Sequence, residues 1–190
     1  RSSYGLVTSA GRLVLAHVVE LPALAASPQT NVAGGIPADE LIGMTESTDP
    51  IPGEHVVAAI PMDQRDDDGP TPAPLAIGTR AGVVKRWNRE APTTMDSWSV
   101  IDLKDGDSVL FAADAAEDRL VFVASDSSLL TFDAGNVRPQ GRTAGGMAGI
   151  RLAEGCTAIT FNVVPAGKIA WTYEEGDNGM FSASGAVVLT

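Results

Sequence analysis

The chain has 190 residues, 44% of them apolar, which suffices for one sizeable core or several small repeated units and excludes a disordered tail. Aromatic residues make up only 5%, so the core must be built mainly from Val, Ile, Leu and Ala. The net charge of −11 argues against a uniformly basic nucleic-acid binder, because phosphate contacts need Lys and Arg; yet residues 1–72 hold 3 basic and 10 acidic side chains while residues 119–167 hold 4 basic and 3 acidic.

Short apolar runs punctuated by Gly, Pro, Asp and Ser dominate, which predicts a mostly β protein. Tyr4-Gly-Leu-Val-Thr8 is followed by the turn Ser9-Ala-Gly11 and by Arg12-Leu-Val-Leu15. Residues 18–27 are compatible with a short helix or turn. Residues 45–72, with Asp66-Asp67-Asp68, read as a surface loop. Pro74-Leu-Ala-Ile-Gly-Thr79, the turn Arg80-Ala-Gly82 and Val83-Val-Lys-Arg86 then repeat the first pattern. Leu120-Val-Phe-Val-Ala-Ser125, Asp126-Ser-Ser128 and Leu129-Leu-Thr-Phe132 repeat it again, and Ala186-Val-Val-Leu-Thr190 would begin a fourth copy. Gly11 and Gly82 supply the positive φ that tight hairpins require.

A second repeated piece lies downstream of two hairpins: Val100-Ile-Asp-Leu-Lys-Asp-Gly-Asp107 and Gly149-Ile-Arg-Leu-Ala-Glu-Gly-Cys156. The hinges Thr8, Thr79, Ser125 and Thr190 are spaced by 71, 46 and 65 residues. A basic period of about 40–50 residues, with insertions in the longer intervals, points to propeller blades of four strands. The expected units are 4–72, 73–118, 119–184 and the start of another at 185–190. Residues 173–184, with Glu174-Glu175-Gly-Asp-Asn-Gly179, read as a second exposed loop. Arg1 and the strand-like Gly185–Thr190 both read as cuts, so the expectation is one incomplete domain.

Val137-Arg-Pro-Gln-Gly-Arg-Thr-Ala-Gly-Gly-Met-Ala-Gly-Ile-Arg-Leu152, placed after a short hairpin, resembles one blade of the C-terminal domain of bacterial type IIA DNA topoisomerase A subunits, the family of topoisomerase IV and gyrase. That family's blades carry Arg-Pro-x-Gly-Arg-x-x-x-Gly-x-x-Gly-Ile-x-Leu. Thr79-Arg-Ala-Gly-Val-Val-Lys-Arg86 matches its Thr-x-x-Gly-x-x-Lys-Arg hairpin, and Val7-Thr8-Ser-Ala-Gly11-Arg12 is a fainter match. The resemblance implies an all-β, propeller-like β-pinwheel, of which this chain holds about three blades and the start of another. It implies an accessory domain that bends duplex DNA on its outer rim and presents it to the catalytic core, with no catalysis of its own. The partners implied are the duplex DNA phosphate backbone, the ATPase B subunit of the parent enzyme and the N-terminal catalytic region of the same polypeptide. The implied setting is cytoplasmic and nucleoid-associated. ATP and Mg would act through other domains of the parent enzyme. Gyrase A subunits carry a basic box, Gln-Arg-Arg-Gly-Gly-Arg-Gly, whereas Gln140-Gly-Arg-Thr-Ala-Gly-Gly146 has one of its three arginines. That favours a topoisomerase IV-like activity over supercoiling.

The basic clusters are the functional signal. No acidic residue interrupts Arg80, Lys85, Arg86 and Arg89, nor Arg138, Arg142 and Arg151. On one rim these side chains would neutralise phosphates; alternatively they solvate a β surface or blunt exposed edges. The resemblance singles out Lys85, Arg86, Arg138 and Arg142 for DNA. The Gly141–Gly149 stretch carries no phosphate-loop pattern and is most simply a turn that allows blades to pack closely. His17, His55 and the lone Cys156 have no metal-ligand spacing, and Asp66-Asp67-Asp68 lacks the alternation of a calcium loop. Trp87, Trp98 and Trp171 are most simply packing residues. A single cysteine excludes an internal disulfide and agrees with a reducing compartment. No apolar run approaches the roughly 20 residues needed to span a bilayer, and no signal peptide follows Arg1. Two other readings remain: a β-propeller used for protein contacts without DNA, and an unrelated β-barrel enzyme, which no residue supports.

Overall fold

The computed structural model describes residues 3–17, 37–44, 51–62, 72–166, 172–175 and 181–184. Three hairpins organise the chain: β1 (Ser3–Thr8) with β2 (Arg12–His17), β4 (Leu75–Thr79) with β5 (Val83–Trp87), and β8 (Arg119–Ala124) with β9 (Leu129–Asp133). Each turns at a four-residue corner closed by one backbone bond: Gly11 N–H to Thr8 O, Gly82 N–H to Thr79 O and Ser127 N–H to Ala124 O, all 3.0 Å. The residue that donates this bond is left-handed in every case, at φ 76° in Gly11, 78° in Gly82 and 68° in Ser127. The expected third hinge, Ser125, is thus displaced by one residue: Val123↔Leu129 pairs as Gly78↔Val84 and Val7↔Leu13 do, which makes Ala124 the counterpart of Thr79. Ser125 corresponds instead to Ser9. The hydroxyl of each accepts a backbone N–H, from Thr157 and His55 respectively, both at 3.1 Å.

After each hairpin the chain returns to pair antiparallel with the hairpin's first strand. β3 (Val56–Pro61) pairs with β1, β7 (Val109–Asp114) with β4, and β12 (Ala158–Val164) with β8, each with a register shift at the corner end. The hairpin's second strand receives its outer partner from the following repeat. β6 (Ser97–Ser99) pairs with β2. β10 (Pro139–Gln140) and β11 (Met147–Ala148) pair with β5, the first parallel and the second antiparallel. Sheets and sequence repeats therefore do not coincide.

The sheets stack as layers, and period-2 alternation on β4 shows it. Leu75 and Ile77 face one core with Val7, Leu13, Trp87, Trp98 and Ile101. Ala76 faces the other with Val84, Leu120, Phe122, Ile150 and Phe161. All five β4 residues are buried. Gly78 shares the Ala76 face: a Cβ there would lie 2.0 Å from the Phe161 ring, so only glycine admits that ring. Phe161 in turn packs against Phe122 at a centroid distance of 4.8 Å. Trp87 and Trp98 meet edge-to-face at 6.5 Å in the first core, which makes both packing residues.

Among the described residues the architecture is all-β apart from one short helix, α1 (Ala38–Met44), and a 3-10 turn at Ala134–Asn136. Helix α1 lays Leu41 and Ile42 against Leu6, Val14 and Ala16, and the Asp39 carboxylate accepts the Val56 N–H at 2.7 Å. Its apolar contact is only two residues long, too short a signal to stand out as helical periodicity. The expected loop at 173–184 is corrected: β13 (Thr172–Glu175) and β14 (Phe181–Ser184) form an antiparallel hairpin, so Glu174-Glu175 ends a strand. The expected surface loop at 45–72 is corrected as well, because β3 runs through it and pairs with β1; its Asp66–Asp68 run, the expected helix or turn at 18–27, Trp171 and the expected strand at 186–190 lie outside the described residues.

Candidate nucleic-acid interface

The seven basic residues singled out by sequence fall into two groups that the fold treats oppositely. Lys85 and Arg86 sit on β5, the strand flanked by β4 on one side and by the borrowed β10 and β11 on the other. They are 0% and 8% exposed. The Lys85 ammonium donates to the carbonyls of Val100 (2.7 Å), Arg142 (2.9 Å) and Ala144 (2.7 Å). Its three protons meet three backbone acceptors from two different connecting segments. The Arg86 guanidinium donates to Ala134 O and Val137 O around the 3-10 turn, and to Ala115 O and Ala116 O beyond β7. The expectation that Lys85 and Arg86 lie on a solvent-facing rim is therefore corrected. Irregular backbone packed between layers leaves carbonyls without ladder partners, and these two cations satisfy them.

Burial pushes the Lys85 amine down to about 8, with the Asp102 carboxylate pulling the other way. Desolvation likewise lowers Arg86, opposed by Asp118, and lowers Arg89. Arg89 also departs from the expected free surface charge. It holds a left-handed φ of 59°, pairs with Asp114 at the end of β7 and donates to Pro61 O at the end of β3. It thereby ties the first sheet to the second.

Arg80, Arg138, Arg142 and Arg151 are different. Arg80, Arg138 and Arg151 are exposed and Arg142 is half-buried. Their guanidinium groups have no ion-pair partner among the described residues. Arg138 precedes β10, whose Pro139 lies beside Arg86. Arg142 follows it. The segment then folds back so that Met147 and Ala148 lie beside Val84 and Val83, and Ile150, next to Arg151, donates its N–H to Gly82 O. Arg80 is two residues from that glycine, on the same corner. The segments that carry Arg138, Arg142 and Arg151 thus run along the outer edge of β5, with Arg80 on its corner. Acidic groups also line this edge: exposed Asp102 donates its N–H to Ala144 O at 3.2 Å, two residues from Arg142, Asp107 spends one oxygen on the Ala81 N–H at the corner, and Glu154 is exposed three residues beyond Arg151.

Strand exchange explains why the sequence pattern misleads about the clusters. Arg138 and Arg142 belong to the third repeat by sequence but to the second sheet by pairing, so they flank Lys85 and Arg86 and do not repeat them one blade along. The burial of Lys85 and Arg86 does leave one mark in the sequence: the strand that carries them ends directly afterwards in Trp87, which is fully buried.

Stacked sheets that take an outer strand from the next repeat, as the first two sheets do here, define a β-pinwheel, the architecture of the C-terminal domains of type IIA topoisomerase A subunits. The crystal structure of the C-terminal domain of DNA topoisomerase IV matches with a TM-score of 0.69 at 21% identity, over 93% of this chain and 52% of that one. The E. coli ParC C-terminal domain matches at 0.59 and 16% identity, over 87% of this chain and 63% of that one. The DNA gyrase A C-terminal domain matches at 0.56 and 19%, over 85% and 47%. In sequence, the chain is similar to the DNA gyrase A protein of Streptomyces coelicolor, with 31% identity over 112 residues, which is 54% of this chain and 13% of that protein. No family model matches the chain. The chain spans about half the length of the solved domains it matches and a small part of the Streptomyces gyrase protein. Among the described residues no helix is long and apolar enough to cross a membrane.

Proposed function

We propose that this chain is a DNA-binding accessory part of a type IIA topoisomerase A subunit that bends duplex DNA along its outer edge toward a catalytic core supplied by other domains. The observation that carries the reading is the file of four guanidinium groups, Arg138, Arg142, Arg151 and Arg80, left without carboxylate partners among the described residues on one sheet edge while the neighbouring cations are consumed inside. Guanidinium groups on a rigid edge form charge-assisted bonds to phosphates and read no bases. The parent enzyme would cut and rejoin DNA with ATP and Mg held elsewhere, beside a B subunit, in the cytoplasm at the nucleoid. The isolated chain would then neither cleave nor relax DNA. A second reading, a protein-contact module, is favoured by the net charge of −11.

Duplex binding of two unrelated sequences, measured by fluorescence anisotropy across a salt series, separates the two. Each neutralised phosphate contributes about −0.9 to the slope of log affinity against log salt. Replacing Arg80, Arg138, Arg142 and Arg151 with Gln should flatten the slope by about 0.9 for each phosphate no longer neutralised, equally for both sequences. If the four-fold variant binds at low salt as tightly as the parent, the DNA reading is wrong and the protein-contact reading stands.

A further inference from the structure

Two joints between repeats meet at Lys85. At the first joint the Gly11 carbonyl accepts the Val100 N–H at 2.9 Å, and the Val100 carbonyl in turn accepts from the Lys85 ammonium at 2.7 Å. At the second joint Gly82 O accepts the N–H groups of Gly149 and Ile150, and β11 lies along Val83 and Val84. The turn that leads into β11 carries Arg142, and the Ala144 N–H closes it onto Gly141 O at 3.2 Å. That turn is held from inside. Arg142 O accepts from Lys85 at 2.9 Å, and Ala144 O accepts from both Lys85 (2.7 Å) and the Asp102 N–H (3.2 Å). A Cβ on Gly145 would lie 3.1 Å from Asp102 O, so the turn sits tight against the segment that follows Val100.

The hairpins themselves do not require a lysine at this place. Leu6↔Val14, Ile77↔Lys85 and Phe122↔Leu130 are equivalent pairs by register, so Val14 and Leu130 stand where Lys85 stands. Of these three hairpins only the second carries a cation there, and its outer edge is the one beside Arg138 and Arg142. Few charged groups face the ammonium. β4 brings no titratable side chain. The segment after β6 brings Asp102, whose carboxylate favours the charged amine. Arg86, next to Lys85 on β5, sends its guanidinium to the carbonyls of Ala134, Val137, Ala115 and Ala116.

We propose that Lys85 is a positioning residue for DNA contact: from inside the sheet its ammonium fixes the Gly141–Ala144 turn, and with it the place of the Arg142 guanidinium on the edge. The inference rests on the DNA-binding reading above. Lys85 itself is 0% exposed and touches no phosphate. Its ammonium offers three donors to three carbonyls, whereas the neutral amine offers two N–H groups and a lone pair. One carbonyl then faces a lone pair, and the turn loosens. Burial pushes the amine down to about 8, while an arginine keeps its charge throughout that range. DNA affinity thereby becomes sensitive to pH through a residue that never meets DNA.

The probe is a fluorescein-labelled duplex of mixed sequence, titrated at low salt with the 190-residue chain. Lys85→Met and Arg142→Gln should each weaken binding, and the double variant should bind within about twofold of Arg142→Gln, because both changes remove one contact. Lys104→Met, which takes the same charge from an exposed site, should weaken binding less than Lys85→Met. In the parent, affinity should fall as pH rises through about 8, backbone amide NMR shifts of residues 141–146 should move over the same range, and the fall should be lost in Arg142→Gln. This pH series decides the matter if Lys85→Met fails to fold. Additive losses in the double variant, equal losses in Lys85→Met and Lys104→Met, one pH profile for the parent and Arg142→Gln, or an Arg142→Gln chain that binds like the parent would each overturn the proposal and leave DNA binding to the other arginines. Absence of duplex binding by the parent would overturn the DNA reading, and the proposal with it.

Discussion

At the scale of single residues, Lys85 decides most. Three carbonyls from two connecting segments depend on one ammonium group, and methionine in its place would leave them buried without donors. Unsatisfied buried acceptors cost about 1–3 kcal/mol each before relaxation, so Lys85→Met should lower stability by about 3 kcal/mol in urea unfolding; a loss below about 1 kcal/mol would mean that water replaces the ammonium. The pH dependence has a definite sign. The amine titrates near 8 in the folded chain and near the ordinary lysine value of about 10.4 when unfolded. Between these values the unfolded chain binds more protons, so this group makes stability rise with pH from about 8 to about 10.4, while below about 8 its burial penalty is fully present and flat. A direct NMR titration of the Lys85 side-chain nitrogen should show a midpoint near 8, and an ordinary midpoint would contradict that environment.

At the scale of elements, the corners carry the design. Gly82 and Gly106 share a left-handed φ, 78° and 79°, but only Gly82 has a neighbour against its missing Cβ. Alanine at Gly106 should cost about 1 kcal/mol of backbone strain. Alanine at Gly82 should cost about 2–4 kcal/mol, because the Ile150 carbonyl must also move. Paired urea melts test this, and equal losses would show that the second joint relaxes freely. The strand hairpins themselves are legible in sequence, since apolar alternation and a Thr-x-x-Gly turn are local signals. The third hinge falls one residue from its expected place because Ser125 resembles Thr79 chemically, whereas register is fixed by cross-strand pairing that composition does not encode. Helix α1 and the β13–β14 hairpin escape a sequence reading for a related reason. The two apolar residues of α1 find their partners on β1 and β2, far away in sequence, and the acidic pair of β13 carries the signature of a loop.

At the scale of the whole molecule, stability should be graded across the layers. β4 and β8 are sandwiched between strands, while β9 has one free edge among the described residues. Native-state hydrogen exchange should therefore protect amides of β4 and β8 most and the outward-facing amides of β9 least; uniform protection through the third hairpin would show that another segment already covers it. The same layering separates structural from surface cations. Arg138→Gln and Arg151→Gln should leave the unfolding free energy within about 0.5 kcal/mol of the parent, whereas Arg86→Gln, which strips four carbonyls of donors, should destabilise clearly. Equal effects in the three variants would undo that separation.

The sequence by itself determined the all-β class, the three hairpins, the glycine corners and the resemblance to type IIA topoisomerase C-terminal domains, because all of these reside in local patterning and motif spacing. Only the tertiary structure decided which basic residues face solvent. A run of Lys and Arg looks the same whether it meets water or backbone carbonyls, and the difference arises when a strand from the next repeat closes over β5, converting Lys85 and Arg86 into internal donors and leaving Arg80, Arg138, Arg142 and Arg151 on the edge it creates.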